Sequence, residues 1–117
     1  MILTEKELEV MTLLWSSSDP MTAAEIVKAS ENRTWREKSV FVIMNSLLRK
    51  KAIELAHLKP TCTNTARAYV AALTPEEYAI SLIYSKGKLQ VPIDVDVFVK
   101  QFKKAFRGKR VSSVLQK

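Results

Sequence analysis

The sequence predicts a mainly α chain with one small antiparallel hairpin. Three observations carry that expectation: a helix-start signature that recurs along the chain, apolar residues spaced by three and four in the segments behind it, and a switch to alternating apolar spacing after Lys50. Only two glycines and four prolines punctuate 117 residues, 47% of them hydrophobic. That composition suits helices packed round one core better than a glycine-punctuated barrel or a disordered chain.

The signature is Thr-x-x-Glu, the capping box. In it a threonine hydroxyl and a glutamate carboxylate take up backbone N–H groups that a helix start leaves without partners. It occurs four times, at Thr4/Glu7, Thr22/Glu25, Thr34/Glu37 and Thr74/Glu77. Three of the boxes are flanked by apolar pairs that can staple the first turn: Leu3 with Leu8, Met21 with Ile26, and Leu73 with Tyr78. The Thr34 box has Arg33 and Lys38 in those places, so its helix is expected to begin a residue or two later.

A first helix then runs to about Trp15, with Leu8, Met11, Leu14 and Trp15 on one face, and stops at Ser16-Ser17-Ser18-Asp19-Pro20. The second is short, about Ala23 to Ser30. The third spans about Arg36 to Lys50, where Val40, Ile43, Met44, Leu47 and Leu48 form a stripe to be buried. Lys51 follows at its end, a small cost if that residue must turn left-handed. Ile53 and Leu55, then Tyr69 and Ala71, alternate with polar neighbours on either side of the polar stretch from Lys59 to Ala66, which reads as a two-stranded hairpin with a loose tip. The fourth helix, Pro75 to about Lys86, is apolar nearly all round, so it is expected to pack against a second subunit through Tyr78, Leu82 and Ile83. Ser85 to Asp94 reads as a linker. Val95, Phe98, Val99, Phe102 and Phe106 then make one stripe of a last helix with basic other faces.

Charge is distributed unevenly. Residues 1–96 hold twelve basic and twelve acidic side chains and sum to zero. Residues 97–117 hold Lys100, Lys103, Lys104, Arg107, Lys109, Arg110 and Lys117 with no acid, so the whole net charge of +7 lies there. A polyanionic partner is expected, and any site for it in the first part works through local arrangement. No run approaches the ~18 uninterrupted apolar residues of a spanning helix, and the first residues run straight into charged ones, so the expected location is the cytoplasm.

Cys62 has no cysteine partner, and His57 is the single histidine, so no spacing resembles a metal site and no cofactor is expected. Cys62 reads as a small loop residue. No nucleophile, base and orienting group assemble, so no enzyme is expected; Glu5 and Glu9 share a helix face but read as solvated.

Helix, short helix, longer helix, then a two-stranded wing is the order of a winged helix-turn-helix, whose third helix enters the DNA major groove while the wing tip reaches flanking backbone. The runs Glu7-Leu8-Glu9-Val10-Met11 with Trp15, Thr22-Ala23-Ala24-Glu25-Ile26, Thr34-Trp35-Arg36-Glu37-Lys38-Ser39-Val40 and Leu47-Leu48-Arg49-Lys50-Lys51-Ala52-Ile53 resemble the penicillinase-repressor family over about residues 3–85. That family includes the β-lactamase, methicillin-resistance and copper-responsive repressors.

The resemblance implies a transcriptional repressor that binds a dyad-symmetric operator in duplex DNA as a homodimer, with the winged domain in residues 1–74 and a helical dimerisation region with a basic tail in 75–117. It implies no small-molecule substrate, and for many members a regulatory protease that cuts the C-terminal region. It aligns Lys38 and Ser39 with DNA-touching residues at the start of the recognition helix, and Arg49 and Lys50 with a basic pair at its end. A lysine and a hydroxyl in a helix's first turn also make chemical sense as a phosphate clamp.

The sequence departs from the family on the outer face of the third helix, where Phe41 and Val42 stand beside Asn45 and Ser46. Two readings stand. Apolar groups can read the thymine methyl while Asn45 pairs with adenine, or Phe41 packs against the second helix or the wing. In the wing, Lys59 and Arg67 flank a tip of Thr61, Thr63, Asn64 and Thr65, either as phosphate contacts or as a solvated turn. The copper-binding cysteine pairs are absent. The last helix admits three roles: a dimer helix through Phe98, Phe102 and Phe106, an arm on the DNA backbone, or a membrane-surface anchor. The rival to the whole reading is a protein-interaction module that uses Phe41 and Val42 as its contact patch.

Overall fold

In the computed structural model, which describes residues 2–85, 87–89 and 91–106, the chain is mainly helical, with a small antiparallel sheet. The elements are α1 (Glu5–Ser16), β1 (Met21–Thr22), α2 (Ala23–Ala29), a 3-10 turn (Glu37–Ser39), α3 (Val40–Arg49), β2 (Ile53–Pro60), β3 (Thr65–Ala71), α4 (Pro75–Ile83), β4 (Tyr84–Ser85), β5 (Lys88–Leu89) and α5 (Val95–Phe106). This is the winged helix-turn-helix order.

Three capping boxes form as their spacing predicts. Thr4 N–H donates to Glu7 Oε1 at 2.8 Å and Glu7 N–H to Thr4 Oγ1 at 3.2 Å. Thr22 and Glu25 repeat this at 2.9 and 3.2 Å, and Thr74 and Glu77 at 2.8 and 3.1 Å. The fourth does not form. Thr34 gives its N–H and its hydroxyl to the carboxylate of Glu9 on α1, and α3 is entered through the 3-10 turn with no side-chain cap. Glu9 is therefore a tether for the α2–α3 connection, and not the solvated carboxylate its spacing suggests.

The wing is longer than alternation alone predicts. β2 and β3 pair from Ile53↔Ala71 to Pro60↔Thr65, with an irregularity between Leu55 and His57, and only four residues, 61–64, turn the corner. There Thr61 N–H and hydroxyl both donate to Asn64 O, at 2.6 and 2.8 Å. A third strand escapes the sequence reading: β1 pairs with β3 at Met21↔Tyr69 and Thr22↔Ala68, giving the order β1-β3-β2. Two residues carry no periodicity to read, and Thr22 serves at once as strand residue and N-cap of α2.

The core lies between the helices and this sheet. Val10, Met11 and Leu14 of α1, Ile26 of α2 and Val40, Ile43, Met44 and Leu47 of α3 meet Trp35, Ala52 and Ile53 there. The α3 stripe fits the expected spacing, with Leu48 at its half-buried margin. α3 ends in a Schellman motif, with Lys51 N–H donating to Leu48 O at 3.0 Å and Ala52 N–H to Leu47 O at 2.9 Å. Lys51 takes the left-handed position, φ 61°.

The chain divides into two compact units, the first ending at Leu82 and the second beginning at Ile83. α4 contributes Tyr78 to the first unit's core, where its hydroxyl accepts from Leu3 N–H at 3.1 Å and its ring centroid lies 6.3 Å from that of Trp15. This corrects the dimer-contact expectation for Tyr78, because the staple that starts α4 turns that ring inward. In the second unit the segment read as linker holds the β4–β5 hairpin, turned at Gly87 with φ 78°. The stretch from 107 on, with the basic residues expected as a tail, lies outside the described residues.

Candidate nucleic-acid interface

α3 owes its placement to the connection in front of it. Arg33 donates to Val27 O and Ser30 O at 3.3 Å each, closing the end of α2, and its guanidinium lies 5.4 Å from the centroid of the Trp35 ring. Trp35 itself is buried, and Thr34 is tied to Glu9. Three consecutive residues therefore hold the turn, and the α3 core stripe holds the helix behind it.

With Val40, Ile43, Met44 and Leu47 locked inward, the periodicity of 3.6 sends Phe41, Val42, Asn45 and Arg49 outward, and Lys38 precedes them in the 3-10 turn. All five are exposed, Phe41 at 64% and Val42 at 69%. At that exposure Phe41 is not packed away against α2 or the wing. Arg36, Glu37, Lys38 and Phe41 line one shallow depression at the entrance to the helix. The sequence marks Arg36 only by its place two residues before Lys38.

The structure does not bring all the expected residues to this face. Ser39 is half-buried in the 3-10 turn. Ser46 and Lys50 turn instead to Glu7: the Ser46 hydroxyl donates to Oε2, and Lys50 Nζ lies 2.6 Å from Oε1 and also donates to Ile2 O at 3.1 Å. Burial pushes the Glu7 carboxyl up, but the Lys50 ammonium, the Ser46 hydroxyl and the Thr4 N–H more than offset it and bring the group from 4.5 down to about 2. In this structure a buried carboxylate holds both Ser46 and Lys50, so a DNA contact by either would compete with that bond.

In the wing, Lys59 is engaged as well, with Nζ 2.7 Å from Pro20 O and 3.1 Å from Glu25 Oε1. The backbone bond to Thr22 and the bond to Lys59 hold the Glu25 carboxyl below its ordinary value. Arg67, opposite Leu58, is exposed, as are Thr61, Cys62, Thr63 and Asn64 at the tip. Among the described residues no three His, Cys, Asp or Glu side chains gather as a metal site, and no helix is long and apolar enough to cross a membrane.

In the second unit, Phe98, Phe102 and Phe106 stand in a row along α5, with ring centroids 6.0 and 4.7 Å apart. Phe98 and Phe102 are exposed and Phe106 half-buried. Of the α4 residues expected at a subunit contact, Leu82 is exposed and Ile83 half-buried.

The penicillinase-repressor family model matches residues 3–85. No curated protein matches the chain. Among solved structures, the ferric uptake regulator Fur of Helicobacter pylori, a protein with three functional metal-binding sites, is similar at 19% identity and a TM-score of 0.47, over 92% of this chain and 73% of that one.

Proposed function

The chain belongs to the penicillinase-repressor family and is a transcriptional regulator, and from that premise we propose that it represses transcription by binding a dyad-symmetric operator in duplex DNA as a homodimer. The observation that carries the reading is the outward stripe of α3. Phe41, Val42, Asn45 and Arg49 are exposed on a helix whose opposite face is fastened in the core, and Lys38 is exposed in the 3-10 turn that leads into it. A rigid helix with a cation at each end and an amide and apolar groups between them suits a major groove, where the cations meet phosphates and the middle reads base edges.

In this reading Lys38 and Arg49 grip the backbone, with Arg36 beside Lys38. Asn45 reads adenine, and Phe41 with Val42 reads thymine methyl groups. Ser39 supports the clamp through the helix start, and Arg67 with the wing tip reaches the flank. Residues 1–74 serve DNA and 75–117 serve pairing through Leu82, Ile83 and the phenylalanine row, with Tyr78 lent to the first unit's core. The protein works in the cytoplasm, without a cofactor. Cleavage of the C-terminal region by a regulatory protease is the control that the family resemblance implies.

Binding to duplex DNA followed by fluorescence anisotropy across a salt series tests the proposal. Affinity should fall steeply with salt, and Lys38→Ala should weaken binding to every duplex and lower the slope of log K against log salt by about one. An unchanged slope in that variant removes the clamp from the interface. The exposure of Phe41 and Val42 also favours a second reading, a protein-docking face. Salt-insensitive binding of a protein, abolished by Phe41→Ala, with no binding of duplex DNA, would select it.

A further inference from the structure

We propose that the lysine face of α5 is a second phosphate-binding surface, which holds duplex DNA without regard to sequence while α3 reads it. The inference rests on the DNA-binding reading above and adds the source of the nonspecific affinity.

The winged unit lacks charge for that task. Residues 1–96 sum to zero, and two of their lysines, Lys50 and Lys59, are held by Glu7 and Glu25. The excess of +7 begins after Asp96. Sequence-independent attraction to a duplex comes from cations that neutralise phosphates and release counterions. A partner with one charge per ~1.7 Å therefore finds most of its complement on and after α5.

α5 separates that charge from its apolar stripe. At about 100° per residue, Lys103, Lys100 and Lys104 lie about 85°, 145° and 175° from the centre of the stripe made by Val95, Phe98, Val99, Phe102 and Phe106. All three lysines are exposed. Asp96 shares their side but sits in the first turn, where a carboxylate complements the helix dipole.

A lipid surface would take up the phenylalanines with the lysines at its headgroups, and a membrane and a second copy cannot both cover that row. The DNA-binding reading above, with a first part of the chain that carries no net charge, favours the duplex. A duplex meets the lysines and leaves the phenylalanines to a second copy. The two faces of α5 therefore do two jobs at once.

The test compares the full chain, its Lys100→Gln/Lys103→Gln/Lys104→Gln variant, the corresponding triple arginine variant and Lys38→Ala, each titrated with salt against a duplex of random sequence. The glutamine variant should bind about 10- to 100-fold more weakly at ~0.1 M salt and lose about two to three from the magnitude of the salt slope, at ~0.9 per phosphate. The arginine variant should restore both, and sedimentation should show the oligomer unchanged. A glutamine variant with the parental slope, while Lys38→Ala still lowers it, overturns the second surface and leaves the α3 reading standing. A parental chain that binds no duplex overturns both. Cosedimentation with phosphatidylglycerol vesicles that the glutamine variant loses, at unchanged DNA slope, assigns the lysines to a lipid surface and also overturns the proposal.

Discussion

Lys50 Nζ stands 2.6 Å from Glu7 Oε1, so a cation at the end of α3 is bound to the first turn of α1. The same carboxylate closes the capping box with Thr4 and accepts from Ser46. One buried anion thus fastens α3 to the N-terminal helix.

Acid should weaken this fastening. The Glu7 carboxyl moves from 4.5 in the unfolded chain to about 2 in the folded one, so folding favours its ionised form by about 3 kcal/mol. A depressed carboxyl contributes stability that is fully present above pH 4.5 and lost as pH falls through the folded value. Urea unfolding at pH 6 and pH 2.5 should show a loss of roughly 2–3 kcal/mol in the parent that Glu7→Gln lacks. Equal losses in both proteins would mean that other groups govern the acid limb.

Lys50→Ala and Lys38→Ala should part company. Removing Lys50 leaves a buried carboxylate short of its cation and costs about 2–3 kcal/mol of stability, less than a wholly buried pair because the lysine is partly exposed. DNA affinity of the folded fraction should hardly change. Lys38→Ala should do the reverse, with thermal unfolding within about 0.5 kcal/mol of the parent and DNA binding weakened.

Lys51→Gly should stabilise the protein. Lys51 holds the left-handed position of the Schellman motif at φ 61°, which costs a residue with a Cβ about 1 kcal/mol relative to glycine. Chemical denaturation should show a gain of up to roughly 0.5 kcal/mol after glycine's larger unfolded-state entropy, about 0.4–1 kcal/mol, is deducted. A loss would mean that the lysine side chain makes a compensating contact.

Phe41→Ala and Asn45→Ala should alter which sequences are bound more than how tightly DNA in general is bound, each costing about 1–3 kcal/mol at the preferred base. Selection of bound fragments from a random duplex library reads this directly. Preferences identical to the parent in both variants would place readout elsewhere.

Phe102→Glu should produce a monomer. The ring lies between Phe98 and Phe106 in the exposed row, and a carboxylate there opposes burial against a second copy. Sedimentation at micromolar concentration checks it, and operator affinity should fall with the lost coupling of two half-sites. A parent that is itself monomeric would end the homodimer proposal.

Amino-acid order alone determined what depends on near neighbours. The Thr4, Thr22 and Thr74 boxes, the inward stripe from Val40 to Leu47 and the phenylalanine row of α5 each involve residues three or four apart, and a helix brings those together wherever it lies. The same rule made the outward face of α3 legible once the inward one was read. Tertiary structure decided everything that joins distant residues. Thr34 left its own box for Glu9, Ser46 and Lys50 took Glu7, Lys59 took Glu25, Tyr78 entered the core, and Met21–Thr22 became a strand. Each is a polar, aromatic or backbone group with two available partners, one local and one far along the chain. Which of the two it takes is settled by where the packed helices set it down.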